Sequence, residues 1–230
     1  MSAYERILEE LRSKPRRWLV TGAGGFIGSN LVEALLRANQ SVVGLDNFST
    51  GRRDNYGRVI EACGREAGKR LLFIEGDIRS FDTCREATRE VDVVLHEAAQ
   101  VSVPASLEDP AATHEINATG FLNVLRAARE GTVRRVVYAS SCAVYGDSTR
   151  LPLTEDQPVL PLSPYAASKL ANEADAASFA GSSGLEAVGL RYFNVFGPRQ
   201  DPLGAYAAVI PLWTAAMIRS QPARIFLRDV

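Results

Sequence analysis

Between residues 18 and 191 short, continuous apolar runs alternate with stretches in which apolar residues return every three or four positions. Continuous β-rich runs suit strands buried on both faces, and three-to-four spacing suits helices, so the pattern predicts βαβ units around a parallel sheet. Strands are expected at residues 18–21, 41–46, 71–75, 92–96, 136–140 and 187–191, and helices at 26–37, 80–88, 111–129, 165–180 and 209–219. Ahead of the first strand, Tyr4, Ile7, Leu8 and Leu11 repeat at helical spacing, which predicts a short amphipathic helix packed against the domain. The expected fold is α/β, a doubly wound parallel sheet. It divides into an N-terminal helical extension (1–16), a sheet domain (17–200) and the start of a further part (201–230).

Two helices carry more than one apolar stripe. Residues 111–129 place Ile116, Phe121, Leu122, Val124 and Leu125 among alanines, so burial on several sides is expected. The helix beginning at Tyr165 is similarly alanine-rich, with Leu170 and Phe179. These surfaces would serve a homodimer, or lie beneath the chain's own C-terminal part. The proline-bearing residues 151–164 read as a loop over a site.

Composition acts mainly by exclusion. The 230 residues suffice for a large core, and 26 basic against 27 acidic side chains leave no field that would draw a nucleic acid or a membrane surface. Cys63, Cys84 and Cys142 are odd in number and widely spaced, which fits a reducing compartment. No apolar run approaches the roughly 18 residues of a membrane span. The expectation is a soluble cytoplasmic protein. His96 and His114 are the only histidines and neither lies in H-E-x-x-H, so no zinc site is expected. His96, ending a buried strand, reads as hydrogen-bonded scaffold.

Candidate chemistry begins at "WLVTGAGGFIGSNLVEALL", which runs from a strand through glycines into a helix. Gly22, Gly25 and Gly28 permit a tight turn and close backbone approach, and the helix N-terminus offers N–H groups to a pyrophosphate. The second strand ends at Asp46, where a carboxylate can hydrogen-bond both ribose hydroxyls of an adenosine and would repel a 2′-phosphate. NAD is therefore expected over NADP, a preference tempered by the nearby Arg52 and Arg53. Gly76-Asp77-Ile78 ends the third strand, where adenine would lie, and the fourth delivers His96-Glu97-Ala98-Ala99-Gln100, whose alanines allow close approach to the cofactor.

"LSPYAASK" then places Tyr165 and Lys169 four apart, on one face of a helix. A tyrosine acting as a base near pH 7 needs its pKa lowered by about three units, or about 4 kcal/mol. One cation about 4 Å away at an effective dielectric near 20 supplies energy of that order. Lys169 and an oxidised nicotinamide ring together are expected to provide it. "VVYASSCAVYG" ends the fifth strand with a hydroxyl to steady the reacting oxygen, Ser141 in preference to Ser140.

These motifs, with "LDNFSTG", "GDI" and "RYFNVFGPRQ", make the chain resemble the extended short-chain dehydrogenase/reductase family over essentially its whole length. Within the family it looks most like nucleotide-sugar 4-epimerases. The N-terminal extension and "GPRQDPLGAYAAVIP" resemble the branch acting on UDP-N-acetylhexosamines in bacterial surface-polysaccharide pathways. The resemblance implies cofactor contacts at Phe26, Ile27, Asp46, Asn47, Ser49, Thr50, Gly51, Asp77, Ile78, Ala98, Ala99, Gln100 and Phe193. It implies a catalytic trio of Ser141, Tyr165 and Lys169, and substrate contacts at Asn194, Ala208, Val209 and Ile225.

The activity so implied is NAD-dependent inversion of C4 in a UDP-sugar, through a 4-keto intermediate, with UDP-N-acetylglucosamine and UDP-N-acetylgalactosamine as the expected pair. A 4,6-dehydratase or decarboxylase shares the oxidation at C4 but needs further acid/base groups, where this chain has Cys142 and Ala143. The family pattern continues with a nucleotide-closing segment whose arginine binds diphosphate, whereas "PARIFLRDV" stops at Val230, so an inactive or truncated NAD-binding relative is the other alternative.

Overall fold

The computed structural model describes residues 1–201 and 209–223. Its elements run α1 (Ala3–Ser13), β1 (Arg17–Thr21), α2 (Phe26–Arg37), β2 (Ser41–Asp46), α3 (Arg53–Cys63), α4 (Arg65–Gly68) and β3 (Leu71–Glu75). They continue α5 (Phe81–Ala87), β4 (Val93–His96), α6 (Val103–Glu108), α7 (Pro110–His114), a π-turn (Glu115–Thr119) and α8 (Gly120–Glu130). The remainder is β5 (Arg135–Ser141), a 3₁₀ turn (Cys142–Tyr145), α9 (Pro164–Ser183), β6 (Glu186–Tyr192) and α10 (Val209–Ile218).

The six strands form one parallel sheet in the order β3-β2-β1-β4-β5-β6. Alternate side chains go to opposite faces, and both faces are apolar. Val20, Val42, Val32, Leu35, Leu36 and Val59 form one cluster under α2 and α3. Leu19, Val43, Val94, Val136, Phe121, Val124 and Leu125 form the other under α5 and α8. Each such side chain contributes about 1.5–3 kcal/mol on burial. A strand with no solvated face has no reason to alternate polar residues, which is why the inner strands read as unbroken apolar runs, whereas the edge strands β3 and β6 stay partly exposed.

Chain order reverses between β1 and β4, and at such a switch point the loops leaving the two strands part and open a crevice. Thr21 pairs with Leu45 and with His96, so the carboxyl ends of β1, β2 and β4 lie level at its floor. α8 is buried over a wide face, as its breadth of apolar positions predicts, and keeps one stripe, with Arg126, Arg129 and Glu130, toward solvent. The expected long helix over 111–129 is instead α7, a π-turn and α8. α1 forms with a capping box between Ser2 and Glu5, but no residue of it is buried, and Tyr4 and Ile7 stay 69% and 57% exposed. Its expected packing is thus corrected: only Leu8 and Leu11 turn inward, and the tie to the domain is Gln40 Nε2 donating to the Leu11 carbonyl.

Candidate active site

A cavity of about 530 Å³ opens along the carboxyl edge of the sheet. Volumes of this order suit a small molecule or cofactor. Its first wall is the turn from β1 into α2. Gly22 has φ +68°, a region costly for any side chain, and a Cβ there would meet the Ala98 nitrogen at 2.8 Å. At Gly28 a Cβ would lie 2.1 Å from the Gly22 carbonyl oxygen, so the helix can approach the turn only as glycine. The N-cap of α2 is Gly25, which has no capping side chain, so the first-turn N–H groups are left for whatever enters the cavity.

Asp46 is buried at the end of β2, and both of its oxygens already accept backbone hydrogen bonds, from Gly24 at 2.8 Å and Phe48 at 2.7 Å. It shapes the glycine turn as well as facing the cavity. Each oxygen keeps a second lone pair for a ribose hydroxyl. Asn47 Nδ2 donates to Asp77 at 2.9 Å, and Arg79 grips the same carboxylate, whose pKa is lowered to about 2, chiefly by that hydrogen bond. The two arginines that tempered the preference for NAD are both engaged: Arg52 pairs with Asp54 at 3.0 Å, and Arg53 pairs with Glu75 and covers the Phe48 ring.

The opposite wall carries acid/base groups. Ser163 caps α9 by accepting from the Ala166 nitrogen, and Pro164 opens the helix, which sets Tyr165 and Lys169 one turn apart facing β5. Lys169 is 2% exposed; its Nζ donates to the Ala139 carbonyl at 2.9 Å and stands 5.9 Å from the centre of the Tyr165 ring. One of its three donors is thus used by the backbone. Burial pushes the Lys169 pKa down to about 8 against the pull of Glu97. Tyr165 is raised above its ordinary 10, first by burial, with the Ser141 hydroxyl acting in the lowering direction. Without a cofactor, desolvation is the largest influence on the phenol, and the expected joint action of Lys169 and an oxidised nicotinamide ring applies to the NAD-bound state.

Ser141 accepts from the Ala143 nitrogen at 3.1 Å, whereas Ser140 donates to Glu173 at 2.5 Å. Ser140 is committed to a neighbouring network, and Ser141 is the hydroxyl near Tyr165. His96 meets Thr21 through Nδ1 at 2.9 Å, and burial drives its pKa down to about 3, so it is neutral scaffold, as its strand position suggested.

All of Gly22, Gly25, Phe26, Ile27, Gly28, Asp46, Asn47, Ser49, Thr50, Gly51, Asp77, Ile78, Ala98, Ala99, Gln100, Ser141, Tyr165, Lys169 and Phe193 line this one cavity. Asn194 is exposed and not among the lining residues, and neither is Val209, which is 50% exposed. Ala208 and Ile225 lie outside the described residues. Sequence reasoning did not single out Glu97, Tyr192, Val195 or Gln200 as lining residues. Glu97 accepts from the Tyr192 hydroxyl at 3.2 Å, while its Oε2 is buried without a partner. Asn117, inside the π-turn, ties the backbone of Gln100 to Ser168, the residue before Lys169. An asparagine in an apolar helix pattern was the available signal for it.

Uncapped helix N–H groups, a cradle that a Cβ would fill, and a buried ammonium with donors to spare fit a dinucleotide. Comparison with known proteins agrees. The profile described as the NAD dependent epimerase/dehydratase family matches residues 18–229. A UDP-glucose 4-epimerase of Mycolicibacterium smegmatis is 40% identical over 212 residues, covering 91% of this chain and 66% of that protein. The solved UDP-N-acetylglucosamine 4-epimerase from Methanobrevibacter ruminantium, in complex with UDP-N-acetylmuramic acid, superposes with TM-score 0.81 at 38% identity, covering 90% of this chain and 64% of that one. The Thermus thermophilus UDP-glucose 4-epimerase, in complex with NAD, gives 0.80 at 39% identity, covering 93% and 66%. The chain thus spans just under two thirds of the length of each.

Proposed function

The chain belongs to the NAD dependent epimerase/dehydratase family, and from that membership and its site we propose that it serves a UDP-sugar 4-epimerase. NAD bound in the cavity would supply a reversible acceptor for the hydrogen at sugar C4. The α2 N-terminus would hold its pyrophosphate, Asp46 its adenosine ribose, and Lys169 the ribose next to the nicotinamide.

The observation that carries the reading is the convergence of Ser141, Tyr165 and Lys169 on the cavity that the glycine turn also lines. Tyr165 Oη takes the proton of the C4 hydroxyl and later returns one to the same oxygen. Ser141 Oγ hydrogen-bonds that oxygen and holds it in line with the phenol. Lys169 Nζ, anchored on the Ala139 carbonyl, keeps positive charge beside the ring. Positions 142 and 143 hold cysteine and alanine, so no carboxylate stands there to carry protons for an elimination. That favours epimerisation over dehydration.

For the sugar we propose UDP-N-acetylglucosamine and UDP-N-acetylgalactosamine. Support comes from the branch resemblance and from the likeness to the Methanobrevibacter ruminantium enzyme. The reading includes a homodimer: Leu170 and Phe179 remain only half-buried on α9, where a second copy would cover them. Incubation with UDP-N-acetylglucosamine or UDP-glucose and NAD, followed by chromatography, tests the proposal. The expected product is the C4 epimer of the N-acetylated sugar; a keto-deoxy sugar nucleotide would replace this reading with the dehydratase.

A further inference from the structure

Arg199 lies seven residues past the end of β6 in the left-handed region, with φ +66°, a conformation unfavourable for a long side chain. Its side chain is only 10% exposed, and every arm of the guanidinium is used on α2. Nε donates to Ser29 Oγ at 3.0 Å, Nη2 to Asn30 Oδ1 at 2.7 Å, and Nη1 to Glu33 Oε2 at 2.7 Å. Asn30 Nδ2 completes the clasp from the other side, donating to the Pro198 carbonyl at 2.9 Å. Asn30 also donates to the Phe26 carbonyl, so the contact reaches the first turn of the helix. Glu33 keeps a second partner in Arg37.

The two elements joined here form different walls of the cavity. α2 contributes Phe26, Ile27 and Gly28, and the segment after β6 contributes Phe193, Val195 and Gln200. We infer that Arg199 is a positioning residue that couples them: order imposed on α2 by a dinucleotide is passed through the clasp to the segment after β6, where the family resemblance puts the sugar-nucleotide contact Asn194. This rests on the functional reading above. Coupling through one mechanical link is reciprocal, so occupation of either side should favour the other.

The test measures UDP affinity by titration calorimetry with and without saturating NAD⁺, on the full chain, its Arg199→Ala and Arg199→Lys variants, and Asn30→Ala, which removes part of the clasp and leaves no buried charge unpaired. In the unaltered protein NAD⁺ should tighten UDP binding at least 5-fold, within the usual range of coupling between sites. Arg199→Ala should bring that ratio to within about 2-fold of unity while NAD⁺ affinity changes less than about 3-fold. Asn30→Ala should give an intermediate ratio, and lysine, lacking the fork, little recovery. A folded Arg199→Ala or Asn30→Ala protein with the original ratio, or an equal loss of both affinities with the ratio preserved, would overturn the inference. If the unaltered protein binds no NAD⁺, the functional reading falls first and this inference with it.

Discussion

Arg191 and Glu173 close on each other through two hydrogen bonds, Nε to Oε1 at 2.9 Å and Nη2 to Oε2 at 2.8 Å, with 20% and 19% of their side chains exposed. Ser140 donates to the same Oε1, and the guanidinium covers the Tyr145 ring at 4.7 Å. One contact therefore locks β5, β6 and the helix that carries Tyr165 and Lys169. Glu173→Ala would strand a partly buried arginine and a buried hydroxyl, and should cost about 1–3 kcal/mol, toward the lower end because the pair still touches water. Burial tends to raise the Glu173 pKa, but Arg191 and Ser140 outweigh it and hold it below 4.5. This stabilisation is present above pH 4.5 and lost as acid titrates the folded carboxyl. Urea unfolding of both proteins at pH 7 and pH 3.5 should show the gap narrowing in acid.

If Tyr165 is the proton carrier proposed above, Tyr165→Phe removes it and leaves the ring that lines the cavity. Turnover should drop by about 10²–10⁴-fold, with NAD⁺ affinity within a few-fold of the original. Burial raises the Tyr165 pKa in the protein alone, so the proposed mechanism needs the positive charge of the oxidised cofactor in addition to that of Lys169. Ultraviolet difference titration should show a tyrosine of lowered pKa with NAD⁺ and none with NADH, and Tyr165→Phe should abolish the signal. Equal titration with both redox forms would remove the electrostatic basis of the mechanism.

How much of this was legible depends on contact range. The inner strands were readable because burial on both faces makes them continuous apolar runs, and the half-exposed edge strand β3 kept enough apolar residues to be read as well; the runs at 41–46 and 71–75 match β2 and β3 residue for residue. α3 escaped notice because its sequence RDNYGRVIEAC buries only Asn55 and Val59, too few to mark a period. The π-turn is set by Asn117 reaching Gln100 and Ser168, far from it in sequence. Strand ends exposed the Asp46 and Ser141 positions, since the sheet delivers them to one edge. Tyr192 with Glu97, and Arg199 with α2, join residues 95 and about 170 positions apart, and no local pattern encodes such pairs.

Two glycines give opposite expectations for the same substitution. At Gly28 a Cβ would meet backbone at 2.1 Å, which no rotamer relieves, so Gly28→Ala should force α2 off the turn. A loss of about 1–3 kcal/mol and at least 10-fold weaker NAD⁺ binding are expected. Gly57, inside α3, has nothing within 4 Å of an added Cβ. Gly57→Ala should stabilise by roughly 0.5–1 kcal/mol and leave NAD⁺ binding alone. Thermal unfolding with a binding titration separates the two.

Glu97 offers the sharpest pH signature. Burial pushes its carboxyl up to about 7 from an ordinary 4.5, against the Tyr192 hydrogen bond and the charge of Lys169, which both favour the ionised form. Between those two pH values the folded protein keeps a proton that the unfolded chain has released. Stability therefore falls as pH rises through that window and levels off above it. The shift corresponds to roughly 3 kcal/mol at most. Lys169 acts in a different window: its pKa is lowered from 10.5 to about 8, so its contribution rises with pH only between those values. Glu97→Gln preserves an acceptor for the Tyr192 hydroxyl and abolishes the titration. Its urea midpoint should match that of the unaltered protein at pH 5, exceed it by pH 8, and lose the downward slope between. A Glu97→Gln protein that kept the slope would mean another group titrates there, and would remove the case that this carboxyl holds its proton into the neutral range.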